Sequence, residues 1–207
     1  MTFVVNGQGL VWMQIGIISD VHADYNTLQE VLSRLEGHHR VDRVLCAGDL
    51  VGRGPEPDRV VDLIREHDIP VARGNHDEWV YGLRRENTQF LKSLPLDWQG
   101  ELAGKTVYMC HGKPGNNMWG MYKDHLSTTY LKMVLRSLKA DVLVTGHTHM
   151  PLHMKTQWGC LVNPGSLYTF KCARASSSTY GVLSLPDLSF RVYDAHADCE
   201  QAPLEII

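Results

Sequence analysis

Short apolar runs and helix-spaced leucines alternate along the first third of this chain. Residues 15–19 (Ile-Gly-Ile-Ile-Ser) form a β-branched run of the kind a buried strand uses. Leu28, Val31, Leu32 and Leu35 then recur at i, i+3, i+4 and i+7, one face of a helix, and Asn26 with Gln29 three residues on offers its N-cap pair. Residues 41–47 read as a second strand. Pro57-Asp58 opens a second helix carrying Val60, Val61 and Ile64, and residues 69–72 read as a third strand. The order βαβαβ predicts parallel strands joined by right-handed crossovers.

Past Asn75 the pattern loosens. Residues 79–83 and 88–94 read as short helices, the second stopped by Pro95. Residues 96–102 and 105–110, divided by Gly104, read as a hairpin, and a loop rich in Gly and Asn follows it at 112–117. Leu131, Val134, Leu135 and Leu138 mark a helix capped by Ser127, with Lys132, Arg136 and Lys139 on its outer face. Strands are expected at 142–145, 152–156, 160–163, 179–185 and 188–193. With no repeat, low-complexity tract or linker, the expectation is one domain over 14–207 behind an N-terminal extension, 1–13. The alternative for the extension is an extra edge strand at residues 3–5.

Composition narrows the function classes. A chain of 207 residues with 43% hydrophobic positions can bury a core without staples. A net charge of −3 speaks against broad electrostatic binding of nucleic acid. Cys46, Cys110, Cys160, Cys172 and Cys199 are odd in number and scattered, which fits a reducing compartment and buried thiol fillers rather than a disulfide framework. The start of the chain lacks the basic region and apolar stretch of a signal peptide, and no run is long enough to span a membrane. A cytoplasmic protein is expected; a homo-oligomer is neither required nor excluded.

The chemistry is concentrated where apolar runs end. Asp20-Val21-His22, Gly48-Asp49, Gly74-Asn75-His76-Asp77, His111-Gly112 and Gly146-His147-Thr148-His149 all follow strand-like segments. Singly, a Gly-Asp or an Asp-x-His is most often a turn. Gly-His-Thr-His is more specific, because packing rarely asks for two imidazoles one residue apart. In an open α/β sheet, groups beyond the carboxyl ends of strands can converge on one point. Carboxylate, imidazole and amide oxygen together suit Mn, Fe, Zn or Ni, and the lack of a thiol argues against a structural zinc site. Seven such side chains exceed one tetrahedral ion, so two divalent ions sharing a carboxylate fit better.

In this order the five pieces resemble the calcineurin-like metallophosphoesterases, over residues 15 to about 193. The chain's length resembles the small bacterial and archaeal phosphodiesterase branch. The resemblance implies a four-layer α/β/β/α sandwich, two mixed β-sheets flanked by helices, with the first sheet mostly parallel. It implies that Asp20, His22, Asp49 and His149 surround one ion and Asn75, His111 and His147 the other, with Asp49 shared. The implied activity is hydrolysis of a small phosphodiester or phosphomonoester by a hydroxide bridging the two ions. His76 is then the candidate acid for the leaving oxygen, Asp77 an orienting group, and Arg53 a phosphate contact or a loop cap.

A protein phosphatase or a dinucleoside tetraphosphate hydrolase is the alternative enzyme, but Asp77 stands where those relatives carry Glu. A non-catalytic scaffold, as in the retromer subunit that has lost its ligands, is disfavoured by the full ligand set. Lys113 replaces the Ser that follows His-Gly in many small relatives, which puts a close substrate analogy in question. Trp79, Trp119, Tyr122 and Tyr168 are candidates for the pocket mouth, with packing or plain exposure as the ordinary explanation. Asn163-Pro164-Gly165-Ser166 is expected to shape a loop. His38, His39, His67, His125, His153 and His196 are expected to be solvated.

Overall fold

Strands that send alternate side chains into different cores build the layers of this structure, a computed structural model describing residues 4–5, 11–79, 81–169, 177–197 and 199–205. In chain order the strands are β1 (Val4–Val5), β2 (Val11–Ile18), β3 (Arg43–Cys46), β4 (Asp97–Leu102), β5 (Lys105–Cys110), β6 (Val142–Val144), β7 (Leu152–Thr156), β8 (Gly159–Asn163), β9 (Thr179–Leu185), β10 (Ser189–Asp194), β11 (Glu200–Gln201) and β12 (Leu204–Glu205). The helices are α1 (Tyr25–Gly37), α2 (Pro57–Glu66), α3 (Arg85–Ser93) and α4 (Thr128–Leu138).

One sheet runs β3-β2-β9-β10-β11, with β1 paired antiparallel to the first residues of β2. Its β2–β3 pair is parallel and its β2–β9, β9–β10 and β10–β11 pairs are antiparallel. The other runs β12-β7-β8-β6-β5-β4, parallel at β12–β7, β8–β6 and β6–β5 and antiparallel at β7–β8 and β5–β4. Both sheets are therefore mixed. The expectation of a mostly parallel first sheet fails for two reasons. The late strand β9 inserts antiparallel beside β2, and the strand expected at 69–72 shrinks to a bridge between Val71 and Cys46. The strand expected from residue 15 begins at Val11, and Met13 is buried in the core. Residues 11–13 thus belong to the sheet, and Val4–Val5 pairs with it.

Three cores follow from the alternation. Ile15 and Ile17 of β2, Val107 and Met109 of β5, Val142 and Val144 of β6 and Leu183 and Leu185 of β9 meet between the sheets. Tyr180 and Val182 of β9 face the other way, against Leu28, Val31 and Leu35 of α1 and Val60, Val61 and Ile64 of α2. Leu143 of β6 and Leu161 of β8 do the same on the far side, under Leu131 and Leu135 of α4. The result is helices, sheet, sheet, helix.

Helix ends differ from the expectation at α1 and agree with it at α4. The cap of α1 is Asp24, whose carboxylate accepts from Thr27 N at 3.1 Å, and Asn26 lies inside the helix. Ser127 caps α4 as expected, accepting from Tyr130 N at 3.1 Å. The helix expected at 79–83 is displaced: a single 3-10 turn spans His76–Glu78, and α3 begins at Arg85. Among the described residues no helix is long and apolar enough to cross a membrane. Cys46, Cys110 and Cys160 are buried free thiols, but Cys199 is exposed, and Cys172 lies outside the described residues.

Candidate metal centre

Five of the seven candidate ligands leave their strands through a backbone conformation that ordinary residues avoid. Asp20, His22, Asp49, His147 and His149 all have φ between 48° and 65°. Non-glycine residues held in the left-handed region cost roughly 1–3 kcal/mol each and persist where the surroundings over-determine them. Here they turn the side chains sharply inward just past β2, β3 and β6. The glycines of the motifs have a matching reason. A Cβ on Gly74 would lie 2.1 Å from Asp49 Oδ1, and one on Gly146 would lie 2.0 Å from Ser19 Oγ. Gly-Asn-His and Gly-His are thus close approaches between loops as well as turns.

All seven candidate ligands are brought together. Asp20 Oδ1 lies 3.0 Å from His149 Nε2 and 3.8 Å from His22 Nε2. Asp49 Oδ2 lies 3.3 Å from His111 Nε2 and 3.7 Å from His22 Nε2, so this carboxylate stands between the two groups. His147 Nδ1 lies 3.0 Å from Asn75 Oδ1 and 3.3 Å from His111 Nε2. His22 Nε2 and His149 Nε2 face each other at 3.4 Å. Asn75 reaches this point from the loop between the Val71 bridge and the 3-10 turn that begins at His76, rather than from a strand.

The side chains are posed as ligands rather than as partners of one another. A carbonyl can only accept, so His111 Nδ1, 2.7 Å from Ala47 O, and His22 Nδ1, 3.3 Å from Val51 O, carry protons. In the neutral rings the Nε2 lone pairs then point into the cluster, the arrangement in which a second partner orients a metal-binding imidazole. Asp20 Oδ1 is fully buried and receives no hydrogen bond in good geometry, despite His149 at 3.0 Å. An orphaned buried carboxylate oxygen among inward-facing imidazoles fits a divalent cation.

The electrostatics agree. Burial opposes ionisation of Asp20, yet the His149 contact and the fields of His111 and His22 hold its carboxyl below the usual carboxylate range. Burial likewise opposes ionisation of Asp49, and His111 holds it low. Burial pushes His22 down to about 4, while His111, against its own burial, is lifted to about 9 by Asp49 and Asp20. The two buried carboxylates draw positive charge to the centre, and a cation would supply it.

Residues beyond the ligands hold the loops. Asp77, expected to orient the site's chemistry, is buried and accepts four backbone N–H groups: Asp49 (3.0 Å), Leu50 (2.8 Å), Val51 (3.3 Å) and Gly74 (2.9 Å). It is a clasp between the loops carrying Asp49 and Asn75. Asn163 donates to Gly146 O (2.8 Å) and Thr148 Oγ1 (3.2 Å), fixing the His147 loop, while Ser166 Oγ donates to Asp20 O (3.0 Å). In the sequence Asn163 and Ser166 show only a general loop-shaping role; the available signal is the position of Asn-Pro-Gly-Ser at the end of β8.

His76 and Arg53 sit at the mouth. His76 N donates to Asp49 Oδ1 at 2.8 Å, its ring meets His22 edge-on at 4.9 Å, and its Nε2 lies 3.5 Å from Arg53 Nη2. His76 also has a ring nitrogen within 4.8 Å of His22 and Asp49 ligand atoms, so it borders the ligand set more closely than its place in the sequence suggested. Gly52 makes room for that ring: a Cβ there would lie 2.7 Å from His76 Nδ1. Lys113 is exposed, its backbone paired with Asn116. Two histidines expected in solvent are packed instead: His39 Nε2 lies 2.9 Å from Tyr180 Oη, and the half-buried His153 meets Phe190.

Known proteins share this sequence pattern and this fold. The sequence pattern of the calcineurin-like phosphoesterase superfamily domain matches residues 13–187. An uncharacterised protein of Methanocaldococcus jannaschii is 28% identical, covering 77% of this chain and 72% of its own. A probable metallophosphoesterase of Methanothermobacter thermautotrophicus is also 28% identical, over 74% and 77% of the two chains. The crystal structure of a metallophosphoesterase from Sphaerobacter thermophilus superposes with a TM-score of 0.67 at 26% identity, covering 86% of this chain and 85% of that one. A match that runs from β2 through β9 takes in every loop of the cluster, and on that ground the chain belongs to the calcineurin-like phosphoesterase superfamily and is a metal-dependent hydrolase of phosphate esters.

Proposed function

We propose that this enzyme hydrolyses small phosphodiesters or phosphomonoesters with two divalent cations, of the Mn, Fe, Zn or Ni type, held by Asp20, His22, Asp49, Asn75, His111, His147 and His149. The observation that carries the reading is the place of Asp49, whose Oδ2 lies within 3.7 Å of imidazoles from both halves of the cluster. When bound, such a pair supplies Lewis-acid polarisation and lowers the pKa of water. The chain's own residues do the rest. His76, half-buried at the mouth, is the candidate proton donor to the leaving oxygen. Arg53, presented between Gly52 and Gly54, offers charge to the equatorial phosphate oxygens. A cytoplasmic setting, supported by the scattered free thiols, belongs to the same reading.

The test is a panel of mono- and bis-nitrophenyl phosphates, cyclic nucleotides, dinucleoside polyphosphates and a phosphopeptide, assayed with Mn, Ni, Zn and Fe beside a count of bound metal. Asp49→Asn should lose turnover and bound metal together. Full hydrolysis by that variant would refute the two-cation reading. His76→Ala should keep its metal and slow most with poor leaving groups; loss of metal would make His76 a ligand instead.

A further inference from the structure

Among the described residues eight large apolar or aromatic side chains are exposed, and five of them fall on two loops: Trp79 and Tyr81 on one, Met118, Trp119 and Tyr122 on the other. Trp79 is 68% exposed and Trp119 66%. Tryptophan is among the side chains least suited to such exposure, so a concentration of this kind marks a recognition surface. Both loops border the candidate centre. Trp79 N donates to His76 O at 3.2 Å. On the other loop, Trp119 O would lie 2.6 Å from a Cβ on Gly112, the neighbour of His111, and a Cβ on Gly120 would come within 3.0 Å of His147 Cδ2.

The backbones that carry those rings are also tethered. Asn116 Oδ1 accepts from both Met118 N (2.9 Å) and Trp119 N (3.0 Å). Buried Asn117 donates to Glu78 Oε1 at 2.9 Å, and Arg73 Nε stands 3.5 Å from the same oxygen. This clasp joins the Trp119 loop to the residue beside Trp79. Next to it, Met121, Tyr122, Thr148 and Met150 line an apolar recess that touches the loop of His147 and His149. A polar, cation-binding floor with a tethered aromatic rim suits a ligand that is anionic at one end and flat at the other.

We propose that Trp79 and Trp119 form a stacking rim that selects phosphate esters bearing a planar ring, a nucleobase above all. The proposal rests on the phosphoesterase reading and adds the substrate class. A ring with a π-face stacks on indole whatever its hydrogen-bonding edge, so the rim selects flatness rather than one base.

Two p-nitrophenyl esters separate rim from chemistry: p-nitrophenyl thymidine-5′-phosphate and methyl p-nitrophenyl phosphate share charge and leaving group, and only the first carries a base. The wild-type enzyme should favour the first by about tenfold in kcat/KM, through KM. Trp79→Ala and Trp119→Ala should each shrink the ratio, and the double variant should bring it near one. Thymidine 5′-monophosphate should quench tryptophan fluorescence of the wild type and not of the double variant. A wild-type ratio near one, or a double variant that keeps both ratio and quench, overturns the proposal. If neither ester is hydrolysed with any metal, the phosphoesterase reading fails, and the quench alone still decides for or against the rim.

Discussion

Asp77 shows how a single side chain can be assigned to chemistry by its place in a motif and to architecture by its bonds. It stands two residues after Asn75, so a role toward substrate is the natural reading of the sequence. Its oxygens instead take two backbone N–H groups each, Leu50 and Val51 on Oδ1, Asp49 and Gly74 on Oδ2. Burial and the neighbouring Asp49 charge push its carboxyl up to about 7, and the Gly74 and Val51 N–H groups and His111 work against that. Asp77→Asn must place an amide NH2 against one of these donor pairs, leaving buried N–H groups without acceptors. The expected cost is about 2 kcal/mol or more. Urea unfolding of the metal-free variant checks it, and an unchanged midpoint would return Asp77 to a role in chemistry alone. The convergence of the seven ligand-type side chains was legible because each follows a strand-like run in the sequence. The clasps were not, because Asp77 and Asn163 act through backbone groups that only the fold brings near.

At the scale of elements, local signals were read well where one element decides the outcome and poorly where two compete. Ser127 precedes a clean apolar stripe, and α4 starts where expected. At α1, both Asp24 and Asn26 are good caps, and the aspartate wins by bonding Thr27 through both N and Oγ1. Residues 69–72 look like a strand, but Pro70 has no N–H and the pairing stops at one bridge. Helix α4 lies across the second sheet from the intersheet core, so its cap and the centre should be separable. Ser127→Ala should lower stability by about 1 kcal/mol. Its metal stoichiometry and affinity, measured by titration calorimetry, should match the wild type. A variant that loses metal along with stability would mean that α4 and the ligand loops unfold as one unit.

For the whole molecule, the question is what holds five strained ligand residues and two buried carboxylates in place. Among the described residues the three apolar cores contain no part of the candidate centre, and each joins elements far apart in sequence. Folding therefore does not wait for a cation, unlike small domains whose only core is the metal. The centre is instead a local cost carried by the sandwich: positive-φ residues at Asp20, His22, Asp49, His147 and His149, and an unsatisfied Asp20 oxygen. A cation relieves the electrostatic part of that cost without changing the fold. Chelated protein should thus unfold in one cooperative transition. Ligand at a hundred times its Kd adds about 2.7 kcal/mol for one site, and a chain of this size gains roughly 2–4 °C in Tm per kcal/mol. Adding Mn or Zn to chelated protein should therefore raise Tm by about 5–10 °C, and chelator should reverse it. Asp49→Asn, which removes the shared carboxylate, should lose most of that rise while keeping the cooperative transition. A wild-type Tm indifferent to every divalent metal would show that the cluster is a packed polar core and not a binding site.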